Sequence, residues 1–136
     1  MEFFAGLHQL NDWALVVARL ALGVIFWMHG RMKMGTWKMQ PSEQMPKSIL
    51  GIVRMLSIAE PLGALAVVFG VLTQVTAICF GVVMVAAIPA RRKQGAKFLD
   101  MKTTGWELDF LILAVSIALA VQGAGQYSLD RLVFGI

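Results

Sequence analysis

The sequence predicts an all-α fold: a four-helix transmembrane bundle closed by a short C-terminal interfacial helix. Three observations lead there. Hydrophobic residues make up 58% of the 136-residue chain and charged ones 15%, whereas a soluble domain carries about 25% charged residues. The mean hydropathy of +0.72 is concentrated in four apolar runs, and roughly 20 residues suffice to cross a bilayer. Most of the cations fall between those runs, where membrane topology places them.

The elements follow in order. The first span covers about residues 10–29, from Leu10 and Trp13 to the His29-Gly30 step. No Lys or Arg precedes it in the first twelve residues and no small-residue cleavage site follows, so it reads as a retained span rather than a signal peptide. The second and third spans, about 49–71 and 73–90, are separated only by a tight connection near Gly70 and Thr73, which predicts a helical hairpin. The fourth covers about 106–122. The connections 29–48 and 90–105 contain Pro41, Pro46, Gly95 and Gly105 and read as loops. Gly123 and Gly125 end the fourth span, and the following SLDRLVFGI, with Tyr127, Arg131 and Phe134, suits a helix lying at the membrane surface. One domain, 1–136, contains all of this.

Orientation comes from the loops. Arg31, Lys33, Lys38 and Lys47 lie in the first long loop, and Arg91, Arg92, Lys93, Lys97 and Lys102 in the second. The opposite side carries only Arg131. This asymmetry predicts cytoplasmic loops and external termini, as in a bacterial inner-membrane protein. It also accounts for the net charge of +4 and the pI of about 9.6 without nucleic acid, for which no basic helix or aromatic platform is present.

Other chemistries find little support. Cys79 is the only cysteine and lies within an apolar run, which leaves no disulfide, CxxC pair or cysteine-based zinc site. His8 and His29 fall on opposite sides of the membrane, and no ligand spacing points to a metal. Nine methionines and the boundary tryptophans Trp13, Trp37 and Trp106 are ordinary in membrane helices. No nucleophile elbow, Walker motif or dinucleotide fingerprint occurs.

The polar residues within the spans need a reason, because a charge in hydrocarbon costs several kcal/mol unless it is paired or reaches water. Arg19 sits about six residues, or ~9 Å, inside the first span. Glu60 lies near the middle of the second and precedes Pro61, where a kink is expected. Arg19 is its expected partner. Three readings of Glu60 stay open: a structural pair locking two spans together, a polar pocket for a ligand or proton, or a protonated carboxyl facing a neighbouring helix. Arg54 with Glu107 or Asp109 makes a second expected cluster. Because 107 and 109 point to different faces, only one joins it, and Glu107 is the favoured member. Ala59, Gly63, Ala66 and Gly70 include two pairs spaced four apart, a seam for close helix approach.

Three segments resemble the DoxX family of small four-span membrane proteins. ARLALGVIFWMHGRMKMGTW is similar to that family's pattern of Arg, a glycine-containing apolar run, His-Gly and Lys. AEPLGALAVVFGVLTQVTA resembles its Glu–small–Gly run and following turn, and GWELDFLILAVSIALAVQGAGQYSLDRLV its fourth span and tail. By position, Arg19, His29, Lys33, Glu60, Glu107, Ser128 and Asp130 are the matching polar residues. The resemblance implies subunits linked to a thiosulfate:quinone oxidoreductase, or quinone, catechol and thiol-stress responses. One departure is visible: many relatives carry a histidine after the third span, where this chain reads PARRKQGAKF.

The resulting expectation is a redox-linked membrane protein that binds a quinone or similar small aromatic compound. His29, Lys33, Arg19, Glu60, Arg54 and Glu107 are the ligand-binding candidates, and Glu60 is the candidate for proton chemistry. The alternatives are an accessory or scaffold subunit of a larger membrane complex, or a small transporter. Homo-oligomerisation fits any of them, and no metal is expected.

Overall fold

A computed structural model describes residues 6–99 and 105–135. Lys102, one of the second-loop cations, lies outside them. Four helices make up the body: α1 (Asn11–Lys33), α2 (Lys47–Phe69), α3 (Thr73–Lys93) and α4 (Glu107–Gln122). Short 3-10 turns at Leu7–Leu10 and Met34–Lys38 flank α1, and a single π-helical turn, Asp130–Phe134, forms the C-terminal helix. No strand occurs among the described residues. Lipid offers the backbone no hydrogen-bond partner, so apolar runs of this length close their bonds internally as helices.

Three helical stretches, Leu7–Lys38, Lys47–Phe69 and Thr73–Lys93, are long and apolar enough to cross a membrane. The fourth expected span is a helix of 16 residues, about 24 Å at 1.5 Å per residue, somewhat shorter than a full hydrocarbon core.

Two boundaries differ from expectation. The first helix does not stop at His29-Gly30 but continues through Lys33 and on as a 3-10 turn to Lys38. The third runs past Pro89 to Lys93. Gly30 and Pro89 resemble helix ends in sequence, but Gly30 is a contact point. A Cβ there would strike the Pro61 ring, so the missing side chain is what lets α1 lie close against α2. Helix α2 itself is unbroken across Pro61.

The bundle is antiparallel. Helix α1 packs chiefly on α2 and α3 on α4, so the expected α2–α3 hairpin has its tight turn, but α2 finds its main neighbour in α1. Gly23, facing Ala64 and Val68, brings α1 and α2 together along with Gly30. The two pairs meet in a core of Leu22, Phe26, Val67, Ala77, Phe80, Ile112 and Leu119. At its centre the Phe26 and Phe80 rings stack, with centroids 3.5 Å apart and 7° between planes. The seam expected from Ala59, Gly63, Ala66 and Gly70 is not one free face. Ala59 is exposed, whereas Gly63 faces the Phe80 ring and Gly70 is buried.

The α2–α3 turn closes one end of the bundle. Gly70 adopts φ +67, and Val71 N–H donates to Ala66 O (2.8 Å) while Gly70 N–H donates to Val67 O (3.2 Å). This is the paired-bond stop that a left-handed glycine permits. Leu72, also left-handed at φ 49, has no side-chain cap to offer the start of α3. Asp130 supplies it from the tail: Leu72 N–H donates to Oδ1 (2.6 Å) and Thr73 N–H to Oδ2 (2.9 Å). A carboxylate on the free N–H groups of a helix start is favourably placed. Asp130 N–H in turn donates to Gly70 O (2.7 Å).

Candidate functional site

The candidate residues separate to opposite ends of the bundle. At the turn end, Arg19 is 2% exposed and donates from Nη2 to Tyr127 O. It packs against Gly70, which Ser128 also approaches, and lies within the field of Asp130. Asp12 accepts from Gln126 N–H (2.9 Å), and Trp13 rests against Tyr127, centroids 4.7 Å apart. The Gly-x-Gly-x-Tyr-Ser-Leu-Asp tail is thus folded back onto the bundle, with Leu132, Val133 and Phe134 left exposed.

Arg19 does not meet Glu60. Gly30 is level with Pro61 and Arg19 with Gly70, so about ten residues, or ~15 Å, of helix separate the two groups. Depth along each span does not fix which residues meet; the α1–α2 register that Gly23 and Gly30 impose does.

At the loop end, Glu60 (1% exposed) receives a charge-assisted hydrogen bond from Lys33 Nζ. The contact exists because α1 continues as a helix: Lys33 projects along it rather than standing in a loop. Glu60 Oε2 is buried and has no hydrogen-bond partner among the described residues.

A second ion pair joins the other two helices. Arg91 Nε of α3 lies 3.0 Å from Asp109 Oδ2 of α4, and Arg91 Nη1 donates to Gly105 O (3.3 Å). Asp109, not Glu107, is the deeply buried acid, at 2% exposure. It occupies the inward face of α4 with Ile112, Ser116 and Leu119. Glu107 is half-buried and two residues off that face.

Arg54 joins neither acid. Its Nε donates to Thr36 O (3.2 Å) and its Nη2 to Met39 O (2.8 Å), with the guanidinium 5.7 Å from the Trp37 ring centroid. Trp37 Nε1–H donates to Ser57 Oγ (2.9 Å), and Ser57 donates to Arg54 O (2.7 Å). These contacts hold the Met34–Lys38 turn against α2, and Arg54 is its fastener.

His29 stands between the two ion pairs. It is half-buried, and the charges of Lys33, Glu60, Asp109 and Arg91 all act on its imidazole. Its ring meets Phe26 edge-on, centroids 6.4 Å apart and 71° between planes, and Phe26 continues the wall to Phe80. Among the described residues no hydrogen bond is formed by either ring nitrogen. The cluster therefore draws on all four helices, with two positive and two negative groups around one imidazole. Of the residues singled out from sequence, His29, Lys33 and Glu60 fall in this cluster, whereas the Arg91–Asp109 pair was not anticipated. The spacing of Asp109 from Ile112, Ser116 and Leu119 was the available signal.

Long apolar helices around a paired polar interior define a small integral membrane protein of the all-α bundle class. The family model for DoxX matches residues 14–91, more than half of the chain, and the protein belongs to the DoxX family. It is 29% identical over 123 residues to a Bacillus subtilis (strain 168) protein named "Putative oxidoreductase CatD". That match covers 88% of this chain and 86% of the relative. No solved structure is significantly similar to the chain.

Proposed function

We propose that the protein is redox-linked and holds a quinone, or a similar small aromatic compound, at the loop-end cluster. The observation that carries this reading is the convergence of two ion pairs, drawn from all four helices, on one half-buried imidazole. Among the described residues Glu60 Oε2 is buried without a partner, and His29, edge-on to Phe26, forms no hydrogen bond from either ring nitrogen.

The residues fit such a compound by chemistry. A quinone, when bound, supplies two-electron, two-proton redox chemistry. His29, protonated on the appropriate nitrogen, donates a hydrogen bond to a carbonyl oxygen. Lys33 provides a further donor and holds Glu60 in place. Glu60 Oε2 accepts from a hydroxyl and is the atom at which a released proton is held. Phe26 and Phe80, stacked on each other and buried, form an apolar floor beneath the cluster that excludes water. The relative's oxidoreductase name agrees with this direction. Electrons pass to or from a partner protein carrying a redox centre. In this reading the cluster lies on the cytoplasmic side of a bacterial inner membrane with both termini external, a topology that the positive-inside pattern supports.

The experiment is organic extraction of the purified protein, followed by mass spectrometry for quinones and related aromatics. The expected result is one such compound retained by the native chain and depleted in His29→Ala and Glu60→Gln. Extracts free of any aromatic compound, from protein that co-purifies with other subunits, would instead support an accessory subunit.

A further inference from the structure

Two hollows lie in line along one face of α3, away from the polar cluster. The first is a groove of about 360 Å³ between α3 and α4, running from Ala77 and Val121 to Val85 and Leu113. Apart from Ser116, its lining is hydrocarbon and glycine. The second, of about 370 Å³, is bounded by Pro89, Arg92 and Lys93. Ile78, Val82, Val85, Pro89 and Arg92 recur at steps of four, three, four and three, which is one stripe of an α-helix.

The dimensions and charge of this stripe define its occupant. Ala77 to Val85 is about 12 Å of helix, close to half of a ~30 Å hydrocarbon core. The basic hollow follows some 10 Å further along, beside Trp106, a residue type that favours the membrane boundary. The Arg92 guanidinium lies 5.7 Å from the Trp106 ring centroid, a cation–π contact that holds it at the groove's end. Arg91 turns inward to Asp109. Arg92 and Lys93 are exposed and form no ion pair among the described residues.

We propose that this stripe is a specific site for one anionic glycerophospholipid. An acyl chain lies in the α3–α4 groove and the phosphate sits between Arg92 and Lys93. A zwitterionic choline headgroup brings its own cation to a hollow already lined by two. A partner helix would need the apolar groove to continue where the cations end it.

The test is a native mass-spectrometry titration of the full chain in detergent with phosphatidylglycerol and with phosphatidylcholine of the same acyl chains. The native protein retains phosphatidylglycerol preferentially. Each surface cation is worth about fivefold in anionic-lipid affinity, so Arg92→Gln with Lys93→Gln lowers it about 30-fold. The control pair Lys38→Gln with Lys47→Gln, exposed elsewhere on the loop end, changes it about twofold or less. Val85→Trp fills the groove without altering charge and lowers retention as well, with an unchanged melting temperature showing that the bundle is intact. Equal retention of the two lipids, or a control pair as damaging as the Arg92 and Lys93 pair, would overturn the site. Undiminished binding by a folded Val85→Trp protein would remove the acyl chain from the groove and with it the proposal.

Discussion

Removing the Lys33–Glu60 pair one member at a time should give two very different results. The side chains are 28% and 1% exposed, respectively. Lys33→Met strands a fully buried carboxylate whose second oxygen already lacks a partner, and breaking a buried pair in this way costs about 3–5 kcal/mol. Glu60→Met leaves an ammonium on a four-carbon stem that already reaches the surface and can extend further, at about 1–2 kcal/mol. With both replaced, neither charge remains to be solvated and an apolar pair of similar volume fills the space, so the double variant should lie within about 1 kcal/mol of the native protein. The coupling is then roughly 3 kcal/mol or more. Equilibrium unfolding by SDS in mixed micelles, followed by tryptophan fluorescence, gives all four corners of the cycle. Losses that simply add, within about 0.5 kcal/mol, would refute the pairing. Equal costs for the two single variants would refute the argument from unequal burial.

Four further outcomes follow from the geometry. Gly30→Ala should cost about 1–3 kcal/mol by overpacking against Pro61, and Pro61→Ala should recover most of it; a neutral Gly30→Ala would deny the close α1–α2 approach. Asp130→Asn replaces one of two capping oxygens and should cost about 1–2 kcal/mol. In hydrogen exchange its effect should appear at the Leu72 and Thr73 amides before any in α4, and uniform acceleration would argue against a local cap. Arg54→Ala should release the Met34–Lys38 turn, seen as several-fold faster proteolysis between residues 38 and 47 and a red shift of Trp37 emission; unchanged cleavage would mean that Trp37 and Ser57 suffice. A reporter fused to the C-terminus should be active only in its externally folding form, and activity in the cytoplasm would invert the proposed topology.

The helices were legible because lipid removes the alternatives: an apolar run of 20 residues has no other way to satisfy its backbone. Chain order and the tight turn at Gly70 followed from the same runs. Register was not legible, and the errors about the site come from that. Whether Glu60 meets Arg19 or Lys33 depends on how far α1 slides along α2, which Gly23 and Gly30 decide by contact with Val68, Ala64 and Pro61. Read alone, Gly30 resembles a helix end, which puts Lys33 in a loop and hides it as a partner. Arg91 was hidden differently. It belongs to a run of three cations that topology already explains, and nothing in that run marks the one that turns inward. Asp109 did carry a signal, since it shares the face of Ile112, Ser116 and Leu119, but its place near a helix start made it look interfacial.

The two ends of the bundle use their charges in different ways, and that contrast bears on where function resides. At the turn end, Arg19 and Asp130 are directed at backbone: a carbonyl of Tyr127, and the N–H groups of Leu72 and Thr73. Those groups need partners wherever a chain reverses in an apolar medium, so the charges there have a structural reason. At the loop end, the main partners are side chains. Lys33 answers Glu60 and Arg91 answers Asp109; Asp109 also lies in the first turn of α4, but Glu60 sits in mid-helix, where no turn or helix terminus calls for a buried acid. Buried ion pairs are weak contributors to stability, and apolar residues of the same volume commonly do as well. A bundle selected only for packing would have no use for four such charges, one from each helix, surrounding a half-buried histidine. Their presence, together with a Glu60 oxygen that has no partner among the described residues, supports the proposed ligand site and the expectation that His29→Ala loses a bound compound while leaving the fold intact.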